Sequence, residues 1–388
     1  MAAETPVVTL ARRLVAVDAT NPSLVPGGAG EREIAGVVAD WLASRGLEVR
    51  IVGADPARPS VLARRPGAGG GRTLLLAGHL DTVGGPGMAP VAPTGGDPQA
   101  PEPIEGRGAY DMAGGLAAAM VAVTRAPAGL AGDVVLAFAA DEEFGSIGME
   151  ELLVELDRDG VRPHGAVVLE PTDLQVTLAH RGFAWFRVEY DGLAAHGSQP
   201  ELGVDAIARA IDGLLALRSL GERLESGPRH PLLGTGSVRV ATIEGGSDAA
   251  TVADRCVLVV ERRTLPGEVD PGAELARVLA PSGPARIVPL VTRPAMESGA
   301  DALVADAVVA AVEEVTGEPA VVRGDPWWTD AGLIAGAGIP AVLVGPRGGG
   351  AHADHEWVDA GSLETLTAVI GRVIRDVCGP ARGGGTAS

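Results

Sequence analysis

Three apolar runs in this 388-residue chain stop at a carboxylate or a histidine, and that recurrence restricts the fold more than any other feature. Leu74-Leu75-Leu76-Ala77 gives way to Gly78-His79-Leu80-Asp81, the run 134–140 to Asp141-Glu142-Glu143, and the run 165–169 to Glu170-Pro171-Thr172. Each run is short and uncharged, as a strand buried on both faces must be. Helical patterns at 112–125 and 146–157 alternate with them, which implies a largely parallel sheet with the polar strand ends on one edge. Open α/β sheets place their sites at that edge. Strand period two sends His79 and Asp81 the same way. A metal-binding His needs a partner to fix its ring tautomer, and Asp81 is placed to be one. The alternative is a strand-end His beside a turn Asp.

Composition narrows the chemistry. Hydrophobic residues make up 46% of the chain, so it reads as globular. The formal net charge of −19 argues against non-specific nucleic-acid binding and against docking on anionic lipid. There is no lysine; all 31 basic residues are arginine. Schiff-base, pyridoxal phosphate and phosphate-loop lysine chemistry are thereby excluded. Cys256 and Cys378 are the only cysteines, too few for a disulfide framework or a cysteine zinc cluster, so any metal is held by His and carboxylate. No signal-peptide pattern opens the sequence, and no uninterrupted apolar stretch of about 18 residues would span a membrane. A cytoplasmic protein is the expectation.

Helices are expected at 6–17 and 31–45, separated by the breaks Asn21-Pro22-Ser23 and Gly27-Gly28, with a strand at 49–52. Residues 84–108 are dense in Gly and Pro and read as a long loop. From about 180 the texture changes to strand 184–190, helix 204–220, strands 237–243 and 256–261, helix 271–280 and strand 285–291. That order is a ferredoxin-like α+β unit. From about 293 the α/β texture returns, with helices 301–316, 329–337 and 360–378 and strands 320–323 and 341–345. The expected organisation is therefore α/β residues 1–179 and 293–380 as one domain, an inserted α+β domain at 180–292, and a disordered tail at 381–388.

The candidate metal ligands are His79, Asp111, Glu143, Glu170 and His352. Each has an ordinary alternative: Asp111 as the N-cap of the helix that follows it, Glu142 and Glu143 as a solvated pair, Glu170 as a turn residue, His352 as a surface residue. Five together, nearly all behind apolar strands, favour a site. The segments GHLDTV, GRGAYDMAGG, DEEFGSIG, LEPTDL, RGFAWFRVEYDGLAAHGSQPELGVDAI, ERRTLPGE, WWTDAGLIAGAGIPAVLVGP and AHADHEWV occur in that order over nearly the whole chain. Together they resemble the co-catalytic zinc family of aminoacylases, acetylornithine deacetylase, succinyl-diaminopimelate desuccinylase and glutamate carboxypeptidase.

The resemblance implies a zinc-peptidase-like catalytic domain with a mostly parallel sheet and an inserted ferredoxin-like dimerisation (lid) domain. It implies that His79 and Glu170 hold one metal ion, that Glu143 and His352 hold another, and that Asp111 bridges them. Asp81 would orient His79. Glu142 would be the general base toward a water shared by the two ions, whose pKa such ions bring toward about 7. His196 would act across a homodimer interface on the tetrahedral oxyanion, Arg263 would hold a substrate carboxylate, and Asp330 would orient substrate or a ligand. Zinc is the expected metal, with cobalt or manganese as alternatives. The implied reaction is removal of an N-acyl group from an amino acid. The alternatives are a di- or exopeptidase with the same site and, from another class, a non-catalytic binding relative. The chain departs from the family at Ala113, where many relatives have Lys, at Ala250, often Asn, and in the order His352-Ala353-Asp354-His355-Glu356, where HxxNE is common. His355 is thus a rival ligand, though the register of the motif favours His352. His164, His180 and His230 are expected to be structural or surface residues, and Trp327-Trp328 either core or pocket wall.

Overall fold

The computed structural model describes residues 4–84, 102–268, 270–299 and 302–380. Most of the 84–108 loop and the expected tail at 381–388 lie outside them. The chain forms two compact units: one takes the chain up to Leu178, Glu297–Arg323 and the chain from Thr329 on, and the other takes Ala179–Met296 and Gly324–Trp328.

The first unit begins with helices α1 (Pro6–Val15) and α2 (Arg32–Ala43), followed by strands β1 (Glu48–Val52), β2 (Ser60–Arg65), β3 (Leu74–His79) and β4 (Ile104–Glu105). Then come α3 (Gly114–Arg125), β5 (Val134–Ala139), α4 (Ile147–Arg158), β6 (Gly165–Val168) and β7 (Val176–His180). The second unit contains β8 (Gly182–Asp191), α5 (Ala206–Ser226), β9 (Ser237–Gly245), β10 (Arg255–Thr264), α6 (Pro271–Leu279) and β11 (Arg286–Arg293). The chain closes with β12 (Met296–Glu297), α7 (Leu303–Thr316), β13 (Val322–Asp325), α8 (Ala331–Gly336), β14 (Ala341–Leu343), β15 (Gly348–Gly349), β16 (Trp357–Val358) and α9 (Ala360–Cys378).

Among the described residues the large sheet has nine strands, in the order β1-β2-β5-β3-β6-β14-β7-β12, with β13 paired to β7. Strands β5, β3, β6 and β14 run parallel, while β1, β2 and β7 are antiparallel to their neighbours. Strand β2 is absent from the sequence reading: its run ends in Arg64-Arg65, which looks like a charged turn. Yet Val61 and Ala63 are fully buried and the strand joins β1 to β5. The parallel strands read as apolar runs because both faces are covered. Leu74, Leu76, Leu136 and Phe138 share one core with α1, α2, α3, α7 and α9. Leu75 and Val135 point the other way and are equally buried, and α4 packs on β2 and β5, with α8 on β6 and β14.

The second unit is an antiparallel sheet ordered β11-β8-β10-β9. Alternate residues Ala184, Phe186, Val188 and Tyr190 of β8 and Cys256, Leu258 and Val260 of β10 form its core with α5 and α6. Asp205 caps α5, accepting the backbone N–H groups of Ile207 at 2.8 Å and Ala208 at 3.1 Å. The chain order β8-α5-β9-β10-α6-β11 is the expected ferredoxin-like one.

Candidate metal centre and catalytic groups

Strands β3, β5 and β6 deliver His79, Glu142, Glu143 and Glu170 to one edge of the sheet, because parallel neighbours end on the same side. Asp111 reaches that edge by a route the sequence did not indicate. It does not cap a helix: residues 109–113 form an irregular turn, Asp111 and Met112 have non-helical backbone angles, and α3 starts only at Gly114. The reason lies 245 residues away. The Glu356 carboxylate, almost fully buried, accepts the N–H groups of Gly108, Tyr110 and Asp111, each at 3.0 Å, and pairs with Arg107 at 2.9 Å. Backbone donors that would start a helix are held by a side chain instead.

The donor atoms fall into two sets, His79 with Asp111 and Glu170, and Asp111 with Glu143 and His352; within each set they lie within 4.8 Å of one another, and Asp111 belongs to both. His79 Nε2 is 2.9 Å from Asp111 Oδ1. His352 Nε2 is 3.3 Å from Asp111 Oδ2 and 3.0 Å from Glu143 Oε2. His355, the rival, lies instead 3.6 Å from Glu105.

Asp81 acts on this cluster in two ways. Its backbone carbonyl, not its carboxylate, is the close partner of His79 Nδ1, at 2.8 Å against 3.6 Å. Nδ1 therefore donates to that carbonyl, and Nε2, 2.9 Å from Asp111, is the ring atom that would meet a cation when the ring is neutral. The Asp81 carboxylate accepts the backbone N–H of Glu142 at 3.1 Å and of Glu143 at 3.2 Å. Behind it Asn21 donates to Asp81 at 2.8 Å and to Asp141 at 3.2 Å. Arg58 pairs with Asp141 at 2.9 Å and with both oxygens of Glu31. None of Asn21, Arg58, Glu31, Asp141 and Glu356 was assigned a role in the sequence: Asn21, Glu31 and Arg58 lie far along the chain from the motifs, and Asp141 and Glu356, though inside two of them, find their partners in distant segments.

The electrostatics of the cluster suit bound cations. Burial, reinforced by neighbouring carboxylates, pushes Glu142, Glu143 and Glu170 above the ordinary carboxylate range. Burial opposes ionisation of Asp111 too, but His352 and His79 hold its carboxyl well down. Burial likewise disfavours a charged His79, yet Asp111 and Glu170 outweigh it and raise its pKa. Asp111 and Glu143 push His352 up to about 10. Glu170 Oε1 is buried without a hydrogen-bond partner, which is costly for a carboxylate. Three carboxylates with two imidazoles and no thiolate fit two divalent cations.

The remaining candidates are placed as follows. Asp330 is buried at the start of α8 and accepts a short hydrogen bond from Ser146 Oγ. His196, exposed in the second unit, accepts the Ser198 N–H at Nδ1, 3.2 Å away, so its Nε2 carries the proton when the ring is neutral. Arg263 is half-buried over the Phe183 ring and paired with Glu261 at 3.0 Å. Its neighbour Arg262 is buried and spent on Glu268 and Glu274. His164 accepts the Thr73 N–H, and His230 accepts N–H groups of its own turn, at Leu232 and Leu233. His180 is fully buried, which lowers its pKa to about 4. Trp328 packs on Phe183 and donates to the Pro294 carbonyl, while Trp327 is exposed.

The chain resembles known proteins in both sequence and fold. Residues 75–376 match the profile of Peptidase family M20/M25/M40. The chain is 30% identical to an acetylornithine deacetylase of Myxococcus xanthus, over 94% of this chain and 96% of that protein. Its fold resembles that of an M20 family metallo-carboxypeptidase from Sulfolobus solfataricus, with a TM-score of 0.74 and 18% identity over 96% of this chain and 99% of the other. It also resembles a dinuclear metal binding peptidase of the same family from Bacillus subtilis, with a TM-score of 0.69 and 16% identity over 96% and 97%.

Proposed function

Since the chain belongs to Peptidase family M20/M25/M40 and is a metal-dependent hydrolase of amide bonds, we propose that it removes the acyl group from an N-acyl amino acid, with Glu142 as general base. The observation that supports this most is the pair of donor sets sharing Asp111, with Glu142 alongside. His79, Asp111 and Glu170 would hold one divalent ion and Asp111, Glu143 and His352 the other; bound there, zinc ions (or cobalt or manganese) would acidify water and polarise the scissile carbonyl.

The chain's own groups do the rest. The Glu142 carboxylate accepts a proton from the attacking water and returns it to the departing amine. Asp81 fixes the His79 ring through its carbonyl and the Glu142-Glu143 backbone through its carboxylate. His196 presents an Nε2–H donor for the oxyanion, and we assign it to the site of a partner chain. Arg263 takes the substrate carboxylate with its planar fork of donors. Asp330 supports substrate binding or, through Ser146, the site itself. A homodimer through the second unit is favoured by the exposed row Ile207, Ile211 and Leu215 on α5 and by the sheet-edge strand β9 with exposed Ile243.

The test is release of amine from N-acetyl, N-succinyl and N-carbamoyl amino acids and from dipeptides, by metal-loaded protein, with and without chelator. Chelator-sensitive cleavage of one acyl class is expected. Cleavage of dipeptides alone would shift the assignment to an exopeptidase, which the family name equally covers. No cleavage by protein carrying two ions per chain would overturn it.

A further inference from the structure

The Asn21-Pro22-Ser23 break lies outside every functional motif, yet Asn21 is fully buried and every polar group it owns is engaged. Its backbone N–H donates to the Thr82 carbonyl at 2.9 Å, and its own carbonyl accepts from Leu24 and Val25. Its side-chain oxygen accepts the Ser23 N–H at 2.8 Å. That contact fixes the amide orientation, since Ser23 N–H requires an acceptor. The NH2 group is left facing two carboxylates from different strand ends: Asp81, just beyond β3, at 2.8 Å and Asp141, just beyond β5, at 3.2 Å. Asp141 begins the turn that carries Glu142 and Glu143, with a left-handed backbone at φ 68°. Such a conformation in a non-glycine residue persists only when its surroundings hold it.

We propose that Asn21 is a positioning residue for the general base: it ties the Asp141-Glu142-Glu143 turn to Asp81 and so sets where the Glu142 carboxylate stands. The proposal rests on the assignment of Glu142 as base. Asn21 touches none of the metal-ligand side chains; it acts through Asp81 and Asp141. Three buried carboxylates, Glu31, Asp81 and Asp141, meet here, and Arg58 pairs with Glu31 and Asp141. Asn21 supplies neutral donors where a second cation would otherwise be called for. An aspartate of the same shape would present an acceptor to two acceptors and push the turn away.

The experiment compares metal-loaded wild type with Asn21→Asp, Asn21→Ala and Glu142→Ala. Bound metal per chain, kcat and KM for the acylamino acid cleaved fastest, and Kd for its phosphinate isostere and for the product amino acid are measured. Both Asn21 variants should retain two ions per chain and a KM within about twofold, with kcat lower by about 10–100-fold, as for other outer partners of a metal site. Kd for the phosphinate should rise in parallel with the loss in kcat, and Kd for the product should not. Misfolding would reduce the number of sites and leave both Kd values alone, so it cannot imitate this pattern. An unchanged kcat, metal content falling in step with kcat, or equal weakening of phosphinate and product would each overturn the proposal. Near-normal turnover by Glu142→Ala would remove the base assignment beneath it, and that result is separable from a normal Asn21 variant beside an inactive Glu142→Ala.

Discussion

At the scale of single residues, the site is built as much by groups that never meet a metal as by those that would. Glu356 shows this most directly. Its two oxygens take three backbone N–H groups and one guanidinium, so the Asp111 turn has its shape because a carboxylate from the far end of the chain is there to receive it. Glu356→Gln keeps the shape but turns an NH2 toward N–H donors. It should lower metal affinity by about 10–100-fold, read by competition with a chromogenic chelator, and lower Tm, since buried donors left unpaired cost about 1–3 kcal/mol each. Unchanged affinity would mean that the turn holds itself. The sequence could show the carboxylates and histidines at strand ends, because an abrupt polar stop after a doubly buried strand has few other uses. It could not show Glu356, Asn21 or Arg58, whose roles lie in hydrogen bonds spanning 27 to 248 residues. It also misread Asp111 as a helix start, because local pattern sees an acid before an Ala-rich run and cannot see a distant acceptor.

At the scale of elements, the distance between Asp111 and Glu170 depends on how closely α3 lies against the end of β6. Gly115 makes that approach possible: a Cβ there would sit 2.3 Å from the Leu169 carbonyl oxygen, the residue before Glu170. Gly115→Ala should push α3 off the strand end. A loss of about 1–3 kcal/mol, as for overpacking elsewhere, is expected in denaturant melts, along with weaker metal binding at the proposed His79, Asp111 and Glu170 site. A variant as stable as wild type would show that α3 can slide without penalty. Strand recognition divided along a similar line. The parallel strands were legible from unbroken apolar runs, whereas β2 and β7 were not: β2 ends in arginines, and β7 ends in His180, whose burial is invisible in a five-residue stretch.

At the scale of the whole molecule, the assignment of His196 to a partner's site can be tested without a structure. Mixing Glu142→Ala with His196→Ala chains, each nearly inactive, should regenerate activity if His196 acts in trans, because the hybrid contains one site with both groups intact. If His196 serves its own chain, no hybrid site is complete and the mixture stays inactive. Ile211→Glu on the exposed row of α5 should weaken self-association in light scattering and abolish the rescue. Finally, the central sheet is not assembled in the order in which the chain is made. Strand β14 lies between β6 and β7, pairing in parallel with the fully apolar β6, and it leaves the ribosome long after both. At roughly 5–20 residues per second, a nascent chain would wait about 10–35 s between finishing β6 and receiving β14, with an apolar strand edge open in the meantime. His352 follows later still, so the proposed metal centre cannot be complete until both β14 and His352 have been made.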